Sequence, residues 1–489
     1  MEEGVSYQKV INSLKRRKKG STAADISAAT ALPLSVVREL LPKAADEFSG
    51  HLRVTESGEI LYRFPNGFIS RYRGFSAVLR KITSKTSVFV KKALILLFKV
   101  WIMVMLIGYF VLFLAIALAT VFIQIAAKSG SNDKSRGGGI NLSAFDILWR
   151  IWFYNELTRP GYGNTSRQLN RQKQKNKQPL HKTIFSFVFG EDDPNKNWNE
   201  TVDKAIISFL QSNNGVISLV EYMIFTGENS IDAEKSVLSF CSRYEGSPEL
   251  TDEGTIVYRF ENLLLQEITY KFDELSPPVK RLKTFSVNSK KMNGLLIAIN
   301  AFNLIFGSYF LNRSLVTGNM IHDFTDQAVY GIYEYLHYFL GFIIDQPQNF
   351  ICVVLGVIPL TFSLFFWIIP ALRRLFEKKE NESIKFLNFK RLFFGRIWSS
   401  PDNVEINSRQ GLPAECNPQD QVLASDKAIK DICAVSNPGI EISQEGKTVY
   451  SFNELKREKQ ALEKYRKNVD MSRLYIGKTV FDTEDRVIN

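Results

Sequence analysis

Three stretches of the chain read alike: VTESGEILYRFPN at 54–66, LTDEGTIVYRFEN at 250–262 and ISQEGKTVYSFNE at 442–454. Each sets a glycine (Gly58, Gly254, Gly446) in a short polar turn. Alternating apolar residues follow and end in Tyr-x-Phe: Tyr62/Phe64, Tyr258/Phe260 and Tyr450/Phe452. Glycine supplies the positive φ of a tight hairpin turn, and period-two alternation marks a half-buried strand. Upstream of the first hairpin, VINSLKRRKKG reads as a helix that stops at Gly20. Ser21-Thr22 caps a second helix to about Leu32, and Pro33 opens a third as LSVVRELLPKAADEF. The second copy keeps this order: AIISFLQSNNG, VISLVEYMIF and IDAEKSVLSFCSRY precede its hairpin. In the third only the helix around QVLASDKAIKDICAV and the hairpin are legible.

Between these copies lie long apolar runs. Residues 100–127, VWIMVMLIGYFVLFLAIALATVFIQIAA, hold no formal charge over 28 positions, more than the about 20 an isolated helix needs to cross a bilayer. The run begins after a polar domain, so a cleaved signal peptide is not expected. Further runs occupy 293–313 and 350–372, and a weaker one, 330–344, carries Glu334 and His337. Lys and Arg gather before the first run (Arg80, Lys81, Lys85, Lys91, Lys92), before the second (Lys280, Arg281, Lys283, Lys290, Lys291) and after the last (Arg373, Arg374, Lys378, Lys379). By the positive-inside rule all three clusters belong on the cytoplasmic side. The basic stretch 164–182 belongs there too, which favours a hairpin over 92–127 pivoting near Gly108, with one long tilted span as the alternative. Lys99 is expected to snorkel or to line the hairpin.

The chain of 489 residues is therefore divided as follows. Module one (1–66) leads through a basic juxtamembrane linker (67–91) to a membrane hairpin or long span (92–127). A basic linker with an interfacial helix at 144–155 (128–198) precedes module two (199–262). A second basic linker (263–292) leads to a membrane region of two or three spans (293–372), a basic juxtamembrane stretch (373–398), a degenerate module three (399–455) and a charged helix and tail (456–489). The fold class is an α-helical integral membrane protein with α+β soluble modules. Three helices followed by a β-hairpin resemble a winged-helix domain, the hairpin being the wing.

The resemblance raises DNA binding, in which the third helix enters the major groove and the wing touches phosphate. Module one carries ten Lys/Arg against eight Asp/Glu, module two 4 against 11, and module three 4 against 9. Of the net +12, the three modules together thus account for −10 and the rest of the chain for +22. Acidic domains do not release counterions from phosphate. The positive charge belongs beside the bilayer and its anionic head groups, and the acidic modules read as protein-interaction units. Should module one bind nucleic acid, the weaker expectation, Lys15, Arg16, Arg17 and Arg53 are the phosphate contacts and Arg38 the base contact.

The string FSFVFGEDDPNKNW (185–198) follows the basic linker. Its Phe185, Phe187, Phe189, Gly190, Asp193, Pro194 and Asn195 resemble a motif in an uncharacterised family of membrane proteins of cyanobacteria and plastids, which also joins winged-helix-like parts to a few spans. Some plastid members carry a label linking them to iron–sulfur cluster biogenesis. Cys241, Cys352, Cys416 and Cys433 lack cluster-type spacing. The acidic amino end, Glu2 and Glu3, is unlike a transit peptide and points to a bacterial inner membrane with both termini cytoplasmic. Asp192, Asp193 and Asn195 suit a turn and cap better than a metal or phosphate site.

Catalytic patterns are sparse. Glu334-x-x-His337 has the spacing of half a di-iron site, but no second copy exists. His51, His181 and His322 stand alone, and there is no HExxH, P-loop or GxSxG. No catalytic residue, metal or cofactor is assigned. Glu334, His337 and Asp345 are the candidate membrane-embedded polar site that a transporter would require. Asn300 and Asn303 are expected to bond a neighbouring helix. The sequence thus points to a non-catalytic scaffold or assembly factor with protein partners; a membrane-tethered transcription regulator is the alternative and a transporter the second alternative.

Overall fold

The computed structural model describes residues 2–17, 20–65, 67–71, 90, 92–129, 179–266, 277–317, 324–340, 346–402, 404–405, 428–442, 448–470 and 477–483. Lys18, Lys19, His322, Asp345, Cys416, Gly446, the expected interfacial helix at 144–155 and most of the basic stretch 164–182 lie outside them. The chain forms two compact units. One comprises Met1–Arg80, Pro194–Leu282 and Glu380–Asn489; the other comprises Lys81–Asp193 and Lys283–Lys379.

The first unit opens with α1 (Glu2–Lys15), α2 (Ala23–Thr30) and α3 (Leu34–Glu47), followed by a hairpin of β1 (His51–Thr55) and β2 (Ile60–Arg63). Thr22 begins α2 through a reciprocal cap with Asp25, satisfying two of the amide groups that a helix start leaves open. On α3, Val37, Leu40, Leu41 and Ala44 fall on one helical face and are buried with Ile11, Leu14, Ile26 and Tyr62. Gly58, at φ 79°, turns the hairpin.

Module two repeats the order with one addition. The helix Trp198–Ser212 leads to the strand β3 (Val216–Ser218), the helices Leu219–Thr226 and Ser230–Tyr244, and the hairpin of β4 (Ser247–Leu250) and β5 (Ile256–Arg259). VIS, expected as the beginning of a helix, is instead β3, because Ser218 caps the following helix through Glu221 and leaves the preceding residues extended. The sheet order is β3-β5-β4. A third sheet, of β6 (Val404–Glu405), β7 (Gly439–Ile442) and β8 (Thr448–Ser451), has the order β6-β8-β7.

The tyrosine of each Tyr-x-Phe ending holds the same place. Tyr258 pairs with Ile217 on one side and Pro248 on the other, and Tyr450 with Val404 and Ile440. Tyr62 pairs with Leu52 and forms an isolated bridge to Ser21. Phe260 and Phe452 are fully buried. Modules two and three share one core, which takes Phe240 and Phe260 from the former and Phe393, Phe394, Ile432 and Phe452 from the latter part of the unit. The stretch 373–398, read as a basic juxtamembrane segment, is helical. Its apolar positions Phe389, Phe393, Phe394 and Ile397 are buried in that core.

Among the described residues, the second unit holds three helices long and apolar enough to cross a membrane: Lys92–Ala127, Lys290–Val316 and Pro347–Ser399, the last continuing into the first unit. The expected hairpin at 92–127 is not formed. The helix runs through Gly108, with a π-helical stretch at Val104–Gly108 that loosens the turn without reversing the chain. The Asn303 amide donates to the Leu106 carbonyl in that stretch (2.8 Å), and the Asn300 amide donates to the Ser363 carbonyl (3.1 Å), as expected of polar residues that join apolar helices. The weaker run becomes the helix Phe324–Leu340. A Cβ on Gly356 would lie 3.0 Å from the Leu311 backbone, so glycine permits that close helix crossing.

Candidate functional site

The basic residues expected to meet nucleic acid are placed on module one, and most are engaged within the chain. Arg38, on the exposed face of α3, pairs with Glu245 at 2.6 Å, and Arg17 lies 3.4 Å from the buried Asp25. Arg53, on β1, pairs with Asp482 at 2.5 Å. The Lys15 ammonium sits 5.7 Å from the centre of the Phe68 ring, and Arg16 follows α1 in a turn.

Arg38 thus meets module two and Arg53 the tail. Tyr244 donates to the Ala31 carbonyl (3.1 Å) and to Asp203 (3.2 Å), and Arg243 holds the same Asp203 carboxylate at 2.5 Å. Burial, then the Asp203 charge, pushes the Tyr244 hydroxyl well above its ordinary range. Lys9 pairs with Glu200. The Tyr244–Ala31, Lys9–Glu200 and Arg38–Glu245 contacts join groups of the two modules and together fix modules one and two as one body.

The tail, from which the sequence suggested no function, closes the unit. The helix Asn453–Asn468 buries Leu455 and Leu462 in the shared core. Its Arg466 reaches the Glu221 carboxylate and donates to the Val216 carbonyl (2.8 Å), while Asn214 donates to the Arg466 carbonyl (2.9 Å). Lys464 pairs with Glu253 at 2.6 Å on the module-two hairpin. Glu458 shares this neighbourhood: burial, reinforced by the Glu221 charge and opposed by a hydrogen bond to Ser218, pushes its carboxyl up to about 7. The strand β9 (Thr479–Asp482) then joins β1 antiparallel, giving the sheet order β2-β1-β9.

The FSFVFGEDDPN motif forms a helix end and a turn. Leu180–Phe189 is helical and stops at Gly190, whose φ of 81° and ψ of −168° suit glycine almost alone. A Cβ there would lie 2.0 Å from Arg373 Nη1. Arg373 donates to the Phe187 carbonyl (2.8 Å), meeting a carbonyl that the helix end leaves open. Phe187 is buried against Phe366 and Phe285, the Phe185 ring lies tilted beside that of Phe189, and Lys99 lies over the Phe185 ring at 4.2 Å. Asp193 pairs with Lys283 at 3.5 Å, and Pro194 opens the turn into the next helix. Asn195 both donates to and accepts from the Arg281 backbone (2.7 and 2.9 Å), as Asn388 does with Lys280 (2.8 and 2.9 Å). Two side-chain amides thus hold the linker as a strand neighbour would.

In the apolar unit Glu334 and His337 are exposed on the helix Phe324–Leu340, with the His337 ring stacked on Tyr333 at 5.3 Å. Asp345, the third of the trio, lies outside the described residues. The polar contact that the sequence reading missed is Arg313 with Asp326, a two-pronged pair at 2.9 and 2.7 Å. A groove of 370 Å³ in the same unit is lined by apolar side chains including Trp101, Phe189, Phe362 and Phe365. No group of His, Cys, Asp and Glu suited to a metal ion occurs among the described residues. Burial pushes the Cys241 thiol up to about 11 and raises that of Cys433, the opposite of what a reactive thiolate needs.

The chain is similar to an uncharacterised chloroplastic protein of Arabidopsis thaliana. They are 26% identical over 435 residues, which cover 83% of this chain and 75% of the relative. No protein-family model matches the sequence, and no solved structure matches it. The relative is chloroplastic, and among the described residues of this chain three helices are long and apolar enough to cross a membrane.

Proposed function

We propose that the protein is a membrane-anchored, non-catalytic scaffold or assembly factor. Its three soluble modules are winged-helix-like repeats that act through protein contacts. The observation that carries the reading is the pairing of Arg38 with Glu245: the residue best placed to read a base is held by a carboxylate of the neighbouring module. Arg53 is likewise held by Asp482 on the wing. Where a DNA-binding member needs cations on its third helix, module two exposes Ile231, Asp232, Glu234 and Leu238 with a single lysine, Lys235, among them. Exposed apolar residues beside acids suit a protein partner. The repeat reading rests on the matched strand orders and on the common register of Tyr62, Tyr258 and Tyr450.

The proposed location is a bacterial inner membrane, crossed more than once, with both termini on the cytoplasmic side. Modules one and two belong to one body, which puts both ends of the stretch 81–193 on one side; among the described residues Lys92–Ala127 is the one helix of that stretch long enough to cross. The helices Lys290–Val316 and Pro347–Ser399 give 283–379 a pair of passages. Exposed Lys92, Lys290, Lys291, Arg374, Lys378 and Lys379 would then meet anionic head groups.

The test is binding of duplex DNA to the full chain in lipid nanodiscs at low salt. No binding is expected. Binding that falls steeply with salt and is lost in Arg38→Ala would replace the scaffold with a transcription regulator.

A further inference from the structure

The outer edge of the wing is treated differently in the three modules. In module two it is β4, where Pro248 removes an amide donor and discourages further pairing. In module three it is β7, with Ile440 and Ile442 exposed and no strand beside it among the described residues. In module one that edge is β1, and it is covered by the chain's own β9.

The cover is slight. It has four residues, and its central Val480 and Phe481 are 69% and 40% exposed, so it brings little apolar burial. It is held by backbone pairing and a few polar contacts. Arg53 lies opposite Asp482, Val54 opposite Phe481 and Thr55 opposite Thr479, with a bulge between Val54 and Thr55. The Glu56 amide donates to the Lys478 carbonyl (3.0 Å), and the Leu52 amide donates to the Thr483 hydroxyl (3.0 Å). Gly477 enters at φ 72°, where a Cβ would lie 2.6 Å from a Glu56 carboxylate oxygen. A cover bonded mainly through its backbone can be replaced by any extended segment with the same polar ends.

We propose that the β1 edge of module one is a docking site for an extended segment of a protein partner, which residues 479–482 occupy in cis until it is displaced. The segment it takes has a glycine entry, a hydroxyl, two apolar residues and an acid facing Arg53, as in Gly477-Lys-Thr-Val-Phe-Asp482. The cis pairing stands on the geometry alone, whereas the identification of the occupant as a partner protein rests on the scaffold reading.

The probe is a fluorescent peptide of residues 477–485, titrated against the full chain in nanodiscs. Three forms are compared: wild type, Asp482→Lys, which sets two cations against each other and frees the edge without shortening the chain, and Val54→Cys/Phe481→Cys, which locks the cover when oxidised. The peptide should bind Asp482→Lys at least tenfold more tightly than wild type. It should not bind the oxidised pair, and binding should return on reduction. A peptide with Val480→Pro should fail throughout. Equal binding to locked and open forms overturns the proposal. So does absence of binding to Asp482→Lys when hydrogen exchange shows that the Leu52 and Val54 amides have lost protection. A dimer of wild type that forms with rising concentration and is abolished by the lock also overturns it, in favour of a second copy as the occupant. Peptide binding as expected with no partner captured from cells would sink the scaffold reading and leave the docking edge standing.

Discussion

Arg466 closes on Glu221 with both arms of its guanidinium, Nη2 at 2.6 Å from Oε2 and Nη1 at 3.1 Å from Oε1, around a carboxylate that is 3% exposed. The pair ties the last long helix to the capping box of module two. Removing one member of a buried pair leaves an uncompensated charge and typically costs about 3–5 kcal/mol. Arg466→Ala is therefore expected to lower the melting temperature markedly and to expose the tail to protease. Glu221→Gln with Arg466→Met, which removes both charges and keeps an acceptor for the Ser218 amide, should be the milder change. A double variant as unstable as Arg466→Ala would show that the charge pair is not what matters.

Glu458 makes that junction sensitive to pH. Its carboxyl is raised from 4.5 to about 7, so the folded state holds a proton that the unfolded state has released. The stabilisation is full below about pH 4.5 and is lost as pH rises through about 7. At about 1.4 kcal/mol per unit, the swing is at most about 3 kcal/mol. Glu458→Gln should raise stability at about pH 8 and leave it unchanged at about pH 4. Parallel pH profiles for the two proteins would refute the assignment.

Gly190 tests the role of the motif. Alanine would be forced into backbone conformations worth about 1–3 kcal/mol of strain and would displace Arg373. Gly67 also has a positive φ, with open space around it, and serves as the control. Denaturation in detergent should show Gly190→Ala clearly less stable than Gly67→Ala. Equal effects would leave the motif without its structural role.

The module hairpins and the helices of modules one and two were readable because turn glycines, Tyr-x-Phe endings and caps are local signals. What could not be read was pairing at a distance. Arg38 and Glu245 are 207 positions apart, and nothing near Arg53 announces Asp482. Both basic residues looked free for phosphate because their partners lie in other parts of the chain. β3 escaped because it is three residues long, although Ser218 and Glu221 at capping-box spacing marked where the helix had to begin. Gly108 suggested a pivot, yet a single glycine in an apolar helix is absorbed by a π-helical turn.

Topology follows from the shared body of modules one and two. Reporters placed at residues 70, 265 and 400 should map to one side of the membrane, and a reporter between Thr317 and Phe324 to the other. A split between 70 and 265 would separate groups that the Lys9–Glu200 and Arg38–Glu245 pairs bring together.

Whether the soluble modules work through protein is best answered by a photo-crosslinking residue in the intact protein, in native membranes, at Ile231 and Leu238 on the exposed face of the helix Ser230–Tyr244. Adducts would be recovered by affinity capture and assayed for both protein and nucleic acid. The expected result is a discrete protein adduct from both positions, weakened by Glu234→Lys on the same face, with no enrichment of nucleic acid. Nucleic-acid adducts, or no protein adduct above the level seen from a buried position such as Val237, would contradict it.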